Sequence, residues 1–298
     1  MTYQLGDEPK PNQKKPMTAI ISIQSGIAYG HVGNAAAVFP LQRIGFEVWP
    51  IHTVQLGHHP GYGRFRGYPV ELERFSEILD AVLDKAPLDC CVAVLVGYLG
   101  DSTTVEVILG AVDRVEKQRP DVTFLLDPVI GDDDSGVFVR PGVPEAIRDR
   151  LLPRASMITP NRFELAFLSG LAVNDLDQAI LAAESLLAVG PDLVVATGLP
   201  DPEDPDTLRM LALTPNERLL LSTPRLRRSF NGTGDVFSAL MLGHYRLSLN
   251  VKSAFERAGN AVYALAQLTE QRGEDELCLI AGQHLFAAPH IRFDVCEV

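Results

Sequence analysis

The sequence predicts one α/β domain built in three layers, α/β/α, around a mostly parallel central sheet. Three observations lead there. Short apolar runs alternate with longer amphipathic stretches along most of the chain, which is the pattern of strand–helix units. The 298 residues, 46% hydrophobic and 21% charged, suffice for a single large core. Polar and turn-forming residues recur just after the apolar runs, where open α/β sheets carry their function.

The elements follow in order. Residues 19–23 (Ala-Ile-Ile-Ser-Ile) read as a first buried strand, and 33–41 as a helix. Residues 47–51 form a second strand. Residues 72–83 form a helix with Leu72, Phe75, Ile78, Leu79, Val82 and Leu83 at helical spacing. A strand is expected over 92–96, a helix over 104–117 and a strand over 122–126, the last ending at Asp127-Pro128. A short strand at Met157-Ile158 leads into a helix from Arg162. A helix over 176–189 and a strand over 193–196 come next. Residues 201–206 are a Pro/Asp-rich surface loop. From Ser248 onward Ala254, Ala258, Ala261, Val262 and Leu265 keep helical spacing. The strand ends single out Ser25, Gly97-Tyr98, Asp127, Thr159-Pro160-Asn161 and Thr197-Gly198 as candidate functional positions.

The formal net charge of −12 opposes duplex nucleic acid and anionic membrane surfaces as partners. An anionic substrate would need a local positive pocket, a metal ion or converging backbone N–H groups. Four cysteines without metal-ligand spacing fit thiols in a reducing cytosol, so the expected location is cytoplasmic. No apolar run reaches the length of a bilayer span. Residues 1–17 read as a flexible tail that lacks the apolar centre of a signal peptide, and 18–298 as the domain.

The strongest local motif is Asn231-Gly232-Thr233-Gly234-Asp235, followed by an apolar stretch. A Gly-rich turn opening a helix lets N–H groups converge, and the helix dipole adds partial positive charge. That makes an anion hole for a phosphoryl group in transfer. Asp235, at the helix start, can accept the proton of an attacking alcohol. The plainer reading is an Asp cap beside turn glycines. The carboxylates Asp127, Asp132 and Glu164 suit Mg²⁺, which favours carboxylate, water and phosphate oxygens. Within the run Asp132-Asp133-Asp134 the functional residue is left open.

Further segments accompany the motif. They are Gln24-Ser25, Tyr29-Gly30-His31-Val32-Gly33-Asn34, Thr53-Val54-Gln55, Gly61-Tyr62-Gly63, Gly97-Tyr98-Leu99-Gly100, Asp127-Pro128-Val129-Ile130-Gly131-Asp132 and Thr159-Pro160-Asn161-Arg162-Phe163-Glu164. The ordered set resembles the pyridoxal kinases of the ribokinase-like superfamily, over nearly the whole chain. The resemblance implies a ribokinase-like fold and MgATP-dependent phosphorylation of the 5′-hydroxymethyl group of pyridoxal, with pyridoxine and pyridoxamine as further candidates. It places Ser25, Val32, Val54, Pro60, Gly61, Tyr98 and Asp235 on the vitamer side. It places Asp127, Thr159, Asn161, Glu164, Thr197, Gly232, Thr233 and Gly234 around ATP. It assigns Asp132 and Glu164 to the metal, and Asp235 to catalysis as the base. It also implies a homodimer and help from K⁺.

Two departures stand out. Relatives commonly carry a threonine where this chain has Pro60, which removes a hydroxyl and an N–H from the substrate flap. After Gln24-Ser25 relatives usually have histidine, and this chain has Gly26. His58 and His59 face either solvent or substrate. Other readings are a hydroxymethylpyrimidine or sugar kinase and a non-catalytic vitamer carrier. The Gly-rich, Gln-containing opening of the pyrimidine kinases and the paired glycines of the sugar kinases are absent. A carrier would be expected to lose Asp235 or the glycines, and both are present.

Overall fold

The computed structural model describes residues 17–298. The expectation of a flexible tail therefore lies, but for Met17, outside the described residues. The chain forms β1 (Ala19–Ile27), α1 (Asn34–Arg43), β2 (Glu47–Leu56), β3 (Gly67–Pro69), α2 (Leu72–Lys85), β4 (Cys91–Val96), α3 (Val105–Gln118) and β5 (Thr123–Leu126). A small hairpin of β6 (Gly131–Asp132) and β7 (Gly136–Val137) follows, then α4 (Val143–Ala146), β8 (Met157–Ile158), α5 (Arg162–Ser169) and α6 (Leu176–Leu187). The remainder is β9 (Leu193–Pro200), β10 (Thr207–Leu213), β11 (Arg218–Pro224), α7 (Thr233–Ser248), α8 (Val251–Arg272), α9 (His284–Ala287) and β12 (Cys296–Glu297).

The main sheet has the order β12-β11-β10-β9-β8-β5-β4-β1-β2-β3. Its centre, from β9 to β2, is parallel. Both flanks are antiparallel. The mostly parallel sheet is as the sequence predicts. The hairpin β10–β11 is an addition, since the sequence analysis assigns no element between Asp206 and Asn231.

Side chains alternate across the sheet. On β4, Val94 and Val96 pack with the layer that includes Leu79, Ile108, Ile147 and Leu165, whereas Ala93 and Leu95 pack with Leu41, Leu240 and Phe255 on the opposite face. Burial on both faces explains why the central strands read as continuous apolar runs. Strand order reverses around β1, which lies between β4 and β2. The crevice between the ends of β1 and β4 is thus a topological switch point, where open α/β sheets hold ligands. Ser25 and Tyr98 lie there.

Candidate active site

A cavity of about 580 Å³ opens at the carboxyl ends of the parallel strands. Of the predicted vitamer-side positions, Ser25, Val32, Pro60, Gly61, Tyr98 and Asp235 line it. So do the predicted nucleotide-side positions Asp127, Thr159, Asn161, Glu164, Thr197, Gly232 and Gly234, and the metal candidate Asp132. A separate depression of about 830 Å³, near Glu184, Asn216 and Val298, contains none of the predicted positions. Its walls are the β10–β11 turn and the Arg218–Glu184 ion pair.

Asp235 occupies the first turn of α7, whose N-cap, Gly232, has φ 85°. A Cβ on Gly232 would collide with the carbonyl oxygen of His31, so close approach and left-handed backbone both demand glycine. Gly33 plays the matching part at the start of α1, with φ 54°, and a Cβ there would strike the Ser25 hydroxyl. Burial lifts the Asp235 carboxyl to about 6, while the N–H groups of Gly33 and of Asp235 itself pull the other way. The residue as a whole is partly open to the cavity, yet the carboxyl lies in dense protein, and desolvation is the dominant effect.

The positions predicted for the nucleotide side form a chain of buried polar groups. Ser238 Oγ donates to Asp127 Oδ2 at 2.9 Å and lies 2.8 Å from Thr159 Oγ1. Since Ser238 spends its proton on Asp127, Thr159 donates to Ser238. Burial, then the nearby Asp235 and Glu164 charges, push the Asp127 carboxyl well above its ordinary range. Glu164 and Asn161 form a capping box at the start of α5: Asn161 Oδ1 accepts from Glu164 N at 2.9 Å, and Glu164 Oε2 accepts from Asn161 N at 2.9 Å. Glu164 Oε1 accepts from Ile130 N at 2.8 Å, and Asn161 Nδ2 donates to Gly131 O at 2.8 Å. Burial raises Glu164 to about 7 against these N–H donors. Val129 lines the same wall with φ 35°, an uncommon conformation for a β-branched residue.

The acidic run divides. Asp132 lines the cavity, and its Oδ1 accepts from the N–H groups of Asp134 and Ser135. Asp133 turns to Arg162. Among the described residues no cluster of three or more His, Cys, Asp or Glu side chains could hold a metal by itself. The oxygen donors on the cavity wall suit a hard cation that arrives with phosphate oxygens.

Two predicted positions do not line the cavity. Val54 is buried behind the wall, where Gly100 packs on its methyl group. Thr233 turns its hydroxyl back to Phe230 O at 3.1 Å. Several lining residues have no counterpart among the sequence-based candidates: Leu56, Ser135, Phe138 and Phe230. His59, left open between solvent and substrate, lines the cavity, as does Asn231 at the head of the glycine motif. Ser238 is not among the candidates either, although the i, i+3 spacing from Asp235 puts both on one face of α7. In the flap, His59 Nδ1 accepts from Gly61 N at 3.1 Å and caps the short 3₁₀ turn Pro60–Tyr62. Pro60 sits at the first helical position, where no N–H is required.

Residues 62–277 match the family model described as phosphomethylpyrimidine kinase. The chain is 45% identical to a pyridoxal kinase of Rubrobacter xylanophilus over 281 residues, covering 94% of this chain and 97% of that one. It is 42% identical to a pyridoxal kinase of Deinococcus radiodurans over 286 residues, 91% and 96% of the two chains. The pyridoxal kinase of Leishmania donovani solved with ADP superposes with a TM-score of 0.89 at 31% identity, over 94% of this chain and 99% of that one. The same enzyme with ADP and pyridoxamine gives 0.89 at 32%, with the same coverage. Fold, site and relatives define an ATP-dependent small-molecule kinase of the ribokinase-like fold. Curated relatives of more than 40% identity that span nearly the whole chain fix the branch. The chain belongs to the pyridoxal kinase family.

Proposed function

We propose that this chain transfers the γ-phosphoryl group of ATP to the 5′-hydroxymethyl group of pyridoxal, with pyridoxine and pyridoxamine as alternative acceptors, in vitamin B6 salvage. One observation carries the reading. Asp235 lines one cavity with a first set of residues, Ser25, Val32 and Tyr98, and a second, Asp127, Thr159 and Asn161; its carboxyl accepts from the Gly33 N–H, next to Val32, and its charge acts on Asp127. A vitamer ring held by the first set and ATP by the second would meet at that carboxylate and at the Gly232–Gly234 turn.

The residues then have distinct tasks. Ser25 hydrogen-bonds the ring, and Tyr98 flanks it. Thr159, Asn161 and Thr197 bind the nucleotide side. Asp235 takes the hydroxyl proton as the oxygen attacks phosphorus, and a carboxyl lifted to about 6 is still largely ionised at neutral pH. The N–H groups at the start of α7 stabilise the charge on the moving phosphoryl group. Asp132 would hold Mg²⁺ beside Glu164, whose two oxygens already accept backbone N–H groups. When bound with ATP, Mg²⁺ neutralises phosphate charge. K⁺ activation and a homodimer rest on the family resemblance. A cytoplasmic location is supported by four free cysteines; no helix among the described residues is long and apolar enough to cross a membrane.

The test is a vitamer panel with MgATP and detection of the phosphate ester, alongside calorimetry with pyridoxal alone. Turnover of a B6 vitamer is expected. Binding without turnover would favour a carrier, and turnover of only a hydroxymethylpyrimidine or a sugar would replace the substrate.

A further inference from the structure

Glu276 lies beyond α8, outside the machinery described above, yet its carboxyl reaches the loop between β1 and α1. Its Oε2 accepts from His31 N at 2.8 Å and lies 3.8 Å from His31 Nδ1. The approach is possible because Gly30 has no side chain: a Cβ there, at φ 96°, would run into the Glu276 carboxyl. His31 is pinned at a sensitive place. Its carbonyl oxygen packs against Gly232, and the next two residues, Val32 and Gly33, line the cavity.

The other carboxylate oxygen, Oε1, is buried and makes no hydrogen bond of ordinary geometry, and neither does His31 Nδ1; the Tyr62 phenol nevertheless lies close enough to this carboxylate to interact with it. A buried carboxylate oxygen left unpaired is costly. Facing it is the flap. The Tyr62 phenol, whose pKa is raised by burial and next by Glu276, lies between that carboxylate and Asn231. His59, which caps the same turn, also feels the Glu276 charge. Tyr62 is 41% exposed, and its ring packs on those of His58 and His59, with centroids 6.2 and 6.0 Å away.

We propose that Glu276 is a positioning residue that ties the substrate flap to the β1–α1 loop: Oε2 holds His31 N–H, and Oε1 receives the Tyr62 hydroxyl when the flap closes over the vitamer. Glu276 touches no reacting atom in this scheme. It orders Pro60 and Gly61 on one side and Val32 and Gly33 on the other. The kinetic part of the proposal rests on the reading of the site as a B6-vitamer kinase. The flap-ordering part does not.

Two measurements test it. Hydrogen exchange compares residues 58–64 in the wild type with Glu276→Ala, Glu276→Gln and Tyr62→Phe. Exchange in the flap should rise about tenfold in Glu276→Ala with β4 unchanged. It should rise less in Glu276→Gln, whose amide oxygen still accepts the His31 N–H. Kinetics should show KM for pyridoxal rising about tenfold in Glu276→Ala, with KM for ATP within about twofold. Tyr62→Phe should raise the pyridoxal KM as well, and add little when combined with Glu276→Ala. Unchanged flap exchange in both Glu276→Ala and Glu276→Gln would overturn the proposal, as would fully additive Tyr62 and Glu276 effects. A wild type that turns over no vitamer would instead refute the functional reading, and the exchange result would still decide the flap-ordering part.

Discussion

Replacing Asp235 by Asn separates the cost of this carboxylate to the fold from its use in the reaction. Burial raises its pKa from 3.8 to about 6. The folded state therefore binds this proton more tightly than the unfolded chain does. The resulting stability is fully present below about pH 4 and is lost as pH rises through about 6. Above that, the ionised carboxylate burdens the fold. A shift of about two units corresponds to roughly 3 kcal/mol, and the partial opening to the cavity reduces this to about 1–2 kcal/mol. Asn keeps the size and one acceptor oxygen but carries no charge. At pH 8 the variant should melt about 2–3 °C higher than the wild type, and near pH 4 the two should coincide. Turnover should move the opposite way, falling by about 10²–10⁴-fold, because general base catalysis is lost. The assay is thermal melting at both pH values and kcat with saturating ATP and pyridoxal. Turnover preserved within a few fold, together with a lower melting temperature, would mean that Asp235 only caps α7, and the mechanism would be wrong.

Other outcomes follow from the same geometry. Ser25→Ala should raise KM for pyridoxal about threefold to tenfold and spare kcat, as steady-state kinetics with each substrate varied will show. Gly33→Ala places a methyl on the Ser25 hydroxyl at φ 54° and should lower stability by about 1–3 kcal/mol in denaturant titration. His244, buried on α7 with its Nε2 unpartnered among the described residues, has its pKa lowered by burial to about 4. Its contribution to stability is present above pH 6.5 and is lost as pH falls toward 4. The melting temperature of His244→Gln relative to wild type should therefore rise steadily over that window. Excess chelator should abolish turnover and added Mg²⁺ should restore it, since no described cluster retains the ion on its own.

Much of this was legible in the sequence because the central strands are buried on both faces and flanked by amphipathic helices. Residues 19–23, 92–96 and 193–196 announce themselves as strands for that reason, though β1, β2 and β9 run on further than their apolar runs. β10 and β11 belong to an edge hairpin whose signal, the Thr214-Pro215-Asn216 turn between two apolar runs, is local and easily passed over. The site was legible where a strand ends in a polar residue. Ser238 was not legible, because it needed the helical phase of Asp235, and neither was Glu276, which is remote in sequence from His31. Val54 does not line the cavity, whereas Leu56, two residues further along the same strand, does.

The central claim is that a phosphoryl group passes from ATP to the vitamer hydroxyl beside Asp235. The most direct measurement follows γ-labelled ATP with pyridoxal and the purified protein at pH 8, in the wild type and in Asp235→Asn. Label is expected on the 5′ oxygen of the vitamer, formed at a rate that falls about 10²–10⁴-fold in the variant. Label appearing only in free phosphate, or equal transfer by both proteins, would contradict it.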